Sequence, residues 1–231
     1  MAPAPETGDG GRVRARTPSC PGHGLSGGQS STRIVYAELD VKSWRARFPS
    51  ADEVRPASCP CCDAPSRPAG GRLVVHGHGV RTRDQWGPPG ATAPPAVGEV
   101  VCRRYHCLAC GAVLLVVPRG ILRRRLYSAG AIALALALWG VDGLAPGKVR
   151  ARVSPWHVVG AAAAMGWASL RRWARAVRAF TLFRCVRALP VGARLRQVAA
   201  RAATTLAAYA PSGADALSIP TRAFLGAAHA S

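Results

Sequence analysis

Carboxylates are scarce in this chain. Eleven Asp and Glu stand against 31 Lys and Arg, and beyond residue 119 only Asp142 and Asp215 remain. A two-metal nuclease or strand-transfer centre needs several converging carboxylates, and the C-terminal half cannot supply them. The acids before it (Glu6, Asp9, Glu38, Asp40, Asp52, Glu53, Asp63, Asp84 and Glu99) are scattered without a motif. A phosphate-binding glycine loop and a GxSxG turn are both missing. The expectation is a protein without catalytic chemistry and without a small-molecule substrate. Long apolar runs are missing too. Ala131 to Val141 is bracketed by Arg125 and Asp142, too short for the ~20 residues of a spanning helix. The uncharged window from Val153 to Leu170 is interrupted by Ser154, Pro155, His157, Gly160 and Gly166. The opening MAPAPETGDGG has no basic and apolar leader pattern. Eight cysteines are therefore expected in a reducing cytoplasm, at the bacterial nucleoid, as thiolates on metal rather than as disulfides.

The excess of base gives a formal charge of +20, almost all of it arginine. That balance predicts a polyanionic partner, and guanidinium groups suit bidentate contacts to phosphate and guanine. An Arg- and Ala-rich composition also fits a high-GC genome, which discounts part of the excess.

The cysteines are not spread evenly. Cys59-Pro60-Cys61-Cys62 and Cys107-Leu108-Ala109-Cys110 form two CxxC pairs, 44 residues apart. Two intervening residues let each loop turn both sulfurs to one point, so Cys59, Cys62, Cys107 and Cys110 are the predicted ligands of a structural Zn2+. A closed four-thiolate site has no open position for catalysis. Cys61 would replace Cys62 only through a C-x-C pair. Cys102 and His106 lie close by, leaving a mixed site open, and His76 and His78 share a strand face that reads as solvated. Cys20 reads as a free thiol in the lead.

Four regions are expected. Residues 1–31, rich in Gly, Pro, Ser and Thr, read as a disordered lead. Residues 32–118 read as a zinc-ribbon domain. Its strands are Leu73–Arg83, Glu99–Cys107 and Ala112–Val117, preceded by a short strand from Arg33 and one or two helical turns ending at Pro49. The stretch from Trp86 to Gly98 reads as an inserted exposed loop, because Pro and Gly exclude regular structure. Residues 119–187 read as a three-helix, helix-turn-helix-like module. Ser128 caps the first helix and Gly140 stops it, Pro146 opens the second, and Ser154-Pro155 breaks it. The third helix, Gly166 to Phe180, puts Leu170, Trp173, Ala174, Val177 and Thr181 on one face and Arg171, Arg172, Arg175 and Arg178 on the other. Residues 188–231 hold a helix over Ala193–Tyr209 and a loosely ordered tail beyond Pro211. The fold class expected is α+β, a small β zinc ribbon followed by an all-α module.

Residues 119–187 carry 13 Lys and Arg against Asp142, a net charge of +12. Arg171, Arg172, Arg175 and Arg178 are the candidate DNA contacts, with the Arg123-Arg124-Arg125 run as a phosphate clamp. The segments RPASCPCCDAP, HGHGVRTR, RRYHCLACG and YSAGAIALALALWG, followed by SLRRWARAV, resemble bacterial transposon-associated proteins with a zinc ribbon and a helix-turn-helix. The resemblance spans about Arg55 to Arg178. It implies recognition of mobile-element ends in double-stranded DNA, beside a transposase or a second subunit, with no transposition chemistry in this chain. Two other expectations stand beside it: a ribbon that docks on protein, as in a transcription regulator, and a membrane-associated protein inserting Ala131 to Val141.

Overall fold

The computed structural model describes residues 32–160 and 166–230. Strand β1 (Arg33–Asp40) runs straight into helix α1 (Val41–Ala46), and strands β2 (Val75–Gly87), β3 (Ala96–Cys107) and β4 (Val113–Arg119) follow. They make one four-stranded sheet in the order β1-β4-β3-β2. β1 and β4 pair in parallel, Ile34 opposite Leu115 and Val35 opposite Val116, while the other two pairings are antiparallel. β4 is central, and Leu114 to Pro118 are all buried. Cover on both faces explains why it reads as an unbroken apolar run rather than an alternation.

Local chemistry sets the joints. Asp40 caps α1 by accepting the Ser43 amide at 2.7 Å. Trp44 is buried, and its indole N–H donates to the Val101 carbonyl at 2.8 Å. Arg103 donates twice to the Pro49 carbonyl (2.9 and 2.7 Å) and lies 4.1 Å from the centre of the Phe48 ring. The chain leaving α1 is thus strapped across β3 on its way to the first cysteine pair.

The helical part consists of α2 (Ala129–Gly140), α3 (Pro146–Val153), α4 (Ala168–Arg178), α5 (Leu195–Ala207) and α6 (Ile219–Gly226). Ser128 caps α2 as expected, its hydroxyl accepting the Ala131 amide at 3.0 Å. Every residue from Ala129 to Leu138 is buried. A helix apolar all round must be covered all round, and α3, α4, α5 and α6 each pack against α2. The apolar run is therefore the axis of a bundle. Among the described residues no helix is long and apolar enough to cross a membrane.

This architecture corrects the expected fold class. Helix α1 lies between β1 and β2, so strands and helices are interleaved, and the sheet is a mixed four-stranded one rather than a small ribbon followed by an all-α module. A three-helix unit could not cover α2, which is why α5 and α6 pack on it too. The inserted loop also shrinks. Gln85, Trp86 and Gly87 pair with Gly98, Val97 and Ala96, leaving only residues 88–95 as the turn. Beyond Pro211 the chain forms α6, with Pro220 in its first turn and Ala223 buried. Residues 1–31, including Cys20, lie outside the described residues.

Gly140 does more than end a helix. A Cβ there would lie 2.3 Å from the Ala200 nitrogen, and one at Gly226 would lie 2.0 Å from the Leu206 carbonyl oxygen. Both glycines are where helix backbones meet. By contrast, a Cβ at Gly147 in α3 meets nothing within 4 Å. Gly140→Ala should therefore destabilise the chain by about 1–3 kcal/mol through overpacking. Gly147→Ala should be neutral or stabilising by up to ~1 kcal/mol, from helix propensity. Chemical denaturation of the two variants checks both signs; a stabilised Gly140→Ala protein would contradict the close packing.

Candidate metal centre

The two CxxC loops are built alike. The Asp63 amide donates to the Cys59 carbonyl at 2.8 Å, and the Cys59 amide to the Ala64 carbonyl at 2.9 Å. The Gly111 amide donates to the Cys107 carbonyl at 2.8 Å, and the Cys107 amide to the Ala112 carbonyl at 3.0 Å. The residue four places after each leading cysteine is left-handed, Asp63 at φ 55° and Gly111 at φ 72°. Glycine takes that conformation without penalty, and aspartate tolerates it better than most residues. The equal spacing of Asp63 and Gly111 was a signal in the sequence that a reading centred on Pro60 and Gly111 misses.

These turns bring the sulfurs together. Cys59 and Cys110 lie 3.7 Å apart, Cys62 and Cys107 3.8 Å, and all four Sγ atoms fall within 4.8 Å of one another. A tetrahedral ion with metal–thiolate bonds of about 2.3 Å spaces its sulfurs about 3.8 Å apart. The sulfurs are far beyond the ~2.05 Å of a disulfide bond. Cys59, Cys62, Cys107 and Cys110 can therefore hold a metal ion, and among the described residues no other group of three or more His, Cys, Asp or Glu does so.

Cys61, Cys102 and His106 are not in that group. Cys102 is buried on β3 with its sulfur 3.6 Å from the Val100 carbonyl, and burial pushes its thiol up to about 11. His76 has its Nε2 2.6 Å from the Leu73 carbonyl, while the His78 and His106 rings lie 5.8 Å apart.

The loops are fastened to the sheet through Val74, which donates to Ser66 and accepts from Leu108, both at 2.9 Å. Arg55 donates to the Val75 carbonyl and to Asp52. Arg55 and Arg67 together hold the Asp52 carboxyl below its ordinary value. Tyr105 donates from its hydroxyl to the Ala51 carbonyl at 2.6 Å, tying the same segment to β3.

Burial opposes ionisation of the thiols. It raises Cys107 and drives Cys110 up to about 12. At Cys59 burial also acts upward, but the amides of Cys61 and Cys62 and the neighbouring Cys107 and Cys110 thiols outweigh it, leaving that thiol below its ordinary value. The amides are placed to stabilise a thiolate before a metal arrives.

The candidate DNA contacts are elsewhere. Arg171, Arg172, Arg175 and Arg178 are exposed on α4, opposite buried Leu170, Trp173, Ala174 and Val177. Arg178 donates to the Ala193 carbonyl. Arg123 and Arg124 are exposed in the turn before α2, and Arg125 is half-buried, its guanidinium lowered by burial. Among the described residues none of these seven has a carboxylate within ion-pair distance. The apolar side of α4 packs in the bundle core, apart from the sheet core that contains the four cysteines.

Comparison of the chain with protein families, with curated proteins and with solved structures finds no match in any of the three.

Metal must displace protons from Cys107 and Cys110, so its apparent affinity should fall as pH falls. Loading the metal-free chain at neutral pH in weak buffer should release at least one proton from each. Cys59→Ser and Cys107→Ser should each lower metal content, and Cys102→Ala should leave it unchanged. Elemental analysis and a pH indicator read these outcomes; full metal retention by both serine variants would remove the assignment.

Proposed function

We propose that this chain is a zinc-stabilised protein that binds double-stranded DNA, of mobile-element origin, with no catalytic core of its own. The arginine face of α4 carries the reading. Four exposed guanidinium groups stand on one side of a helix whose other side is buried, and among the described residues no carboxylate pairs with them. A solvated helix face normally mixes charges of both signs. A single-sign face of arginines suits phosphates and base edges instead.

Zinc is the ion proposed, because an all-sulfur tetrahedral set selects it among hard and soft cations, with iron as the competitor. All four positions are taken by protein, so the ion's part is structural. Asp142 is solitary, and Asp215 pairs with Arg222 at 3.5 Å, which leaves the bundle no converging acids for a second metal. Binding rather than turnover fits that inventory. The resemblance to transposon-associated proteins supports element ends as the DNA and a transposase as a partner.

Duplex affinity should fall steeply with salt, each phosphate contact adding about 0.9 to the log–log slope. Replacing Arg171 and Arg175 by Ala should weaken binding and flatten that slope by about 1.8. Fluorescence anisotropy across a salt series measures both. Absence of duplex binding at low salt would sink the proposal, and an unchanged slope in the double variant would move the interface off α4.

A further inference from the structure

A tryptophan stands half out of the surface between α3 and α4. Trp156 is 51% exposed, although five of the chain's aromatic rings form a connected series there. Its ring meets Trp86 edge-on at 5.6 Å; Trp86 meets Tyr127 at 5.6 Å; Tyr127 meets Trp173 at 5.1 Å and Trp167 at 5.8 Å. Trp167 and Trp173 are buried in the bundle core. The backbone is held as well. Ser154 Oγ accepts the Trp156 amide at 3.3 Å and the Tyr127 hydroxyl at 2.9 Å. The exposed indole is therefore mounted on rigid packing rather than hanging free.

Beside it lies a groove of about 100 Å³, lined by Gly147, Arg150, Ala151, Trp156, His157 and their neighbours. Gly147, Arg150 and Ala151 are one face of α3, and the glycine leaves backbone accessible. Arg150 is half-buried in the groove lining, its Nε closed off from solvent with no hydrogen-bond partner among the described residues. Lys148 and Arg152 are exposed on the same helix, and none of the three cations has a carboxylate within ion-pair distance among the described residues.

An aromatic platform next to a guanidinium cation in a basic surround suits one ligand chemistry. A nucleobase stacks on the ring while its phosphate meets the charge of the arginine. We propose that Trp156, Arg150 and His157 form a site for an unpaired nucleotide of a nucleic-acid strand. The base lies on the exposed indole and the phosphate occupies the groove. Single-stranded or frayed DNA is the substrate class this adds to the duplex contact of α4; the inference rests on the reading of the chain as a nucleic-acid binder.

The test uses the full metal-loaded chain and four probes: oligothymidylate, an abasic strand of equal length, oligouridylate and a duplex. The base-bearing strands should bind at least about fivefold more tightly than the abasic strand. Trp156→Ala should erase that preference, Trp156→Phe should keep part of it, and Arg150→Gln should weaken base-bearing and abasic strands alike. Duplex affinity should stay unchanged in Trp156→Ala. A Trp156-dependent preference with either oligothymidylate or oligouridylate supports the site, and their ratio tells which strand it takes. Equal binding of abasic and base-bearing strands, or a preference that survives Trp156→Ala, overturns the stacking site while the duplex reading stands. Loss of all binding, duplex included, overturns both. Binding to anionic lipid vesicles that Trp156→Ala abolishes, with no base preference, assigns the ring to a membrane and overturns the proposal.

Discussion

Four sulfur atoms within 4.8 Å of one another are the tightest constraint in the molecule. Cys59 and Cys107 are fully buried, so their polarity cannot be relieved by water. As thiolates the four would repel, and as thiols they would offer only weak S–H donors to each other. A cation between them turns that repulsion into attraction and makes its binding free energy folding free energy. The consequence spreads through Val74, whose backbone joins Ser66 behind the first loop to Leu108 in the second. Val74 immediately precedes β2. On the proposed reading, a metal held by the four cysteines would fix the start of β2 against the end of β3, where Val75 stands opposite Cys107.

The other end of the same hairpin is fixed by different physics. Trp86 pairs its backbone with Leu126 and Ser128, and a Cβ on Gly87 would come 2.4 Å from the Cβ of Ala131. The far tip of β2 is thus wedged against the first turn of α2, the helix that the bundle is built to cover. The four-cysteine cluster stands at one end of the sheet and an apolar helix holds the other. Between them β3 changes which face it buries. Val100 and Cys102 are buried at its start and Tyr105 and Cys107 at its end, while the register shifts between Gly77 and Val80, where Gly79 adopts φ 83°. β2 takes three steps from Gly77 to Val80 where β3 takes two from Tyr105 to Arg103, so the bulge lies on β2 and re-aims that strand's side chains.

What was legible in the sequence was local. The CxxC pairs, the Ser128 cap, Pro146 at the opening of α3 and the two faces of α4 are properties of a few adjacent residues, and each stands in the structure. What was not legible depends on distant partners. β1 looks like any short strand, and nothing in RIVYAELD announces a parallel pairing with residues about 80 positions later. The Pro- and Gly-rich stretch around Trp86 reads as a loop, yet its flanks pair because β3 is there to receive them. Gly140 reads as a helix stop, when its lack of a side chain is demanded by Ala200 on another helix. The small apolar residues of α6 carry no strong periodicity, and its place is set by the crossing at Gly226.

Charge is segregated by the same architecture. Three of the seven acids in residues 32–118 stand in ion pairs: Asp52 with Arg55 and Arg67, Glu53 with Arg47, and Glu38 with Arg119. Exposed pairs of this kind add little stability, but they cancel field locally. On the proposed reading, a divalent ion with four thiolates would carry a net charge of about −2 and lower the potential there further. The bundle has no such compensation, because Asp142 and Asp215 are its only acids and Asp215 already faces Arg222. The formal +20 is therefore unevenly spread along the chain, with +12 of it on residues 119–187. On the proposed reading, an incoming polyanion is steered away from the cysteines and onto the bundle. The metal end would then build the protein and the helical end would meet the partner, a division that follows from where the few carboxylates stand.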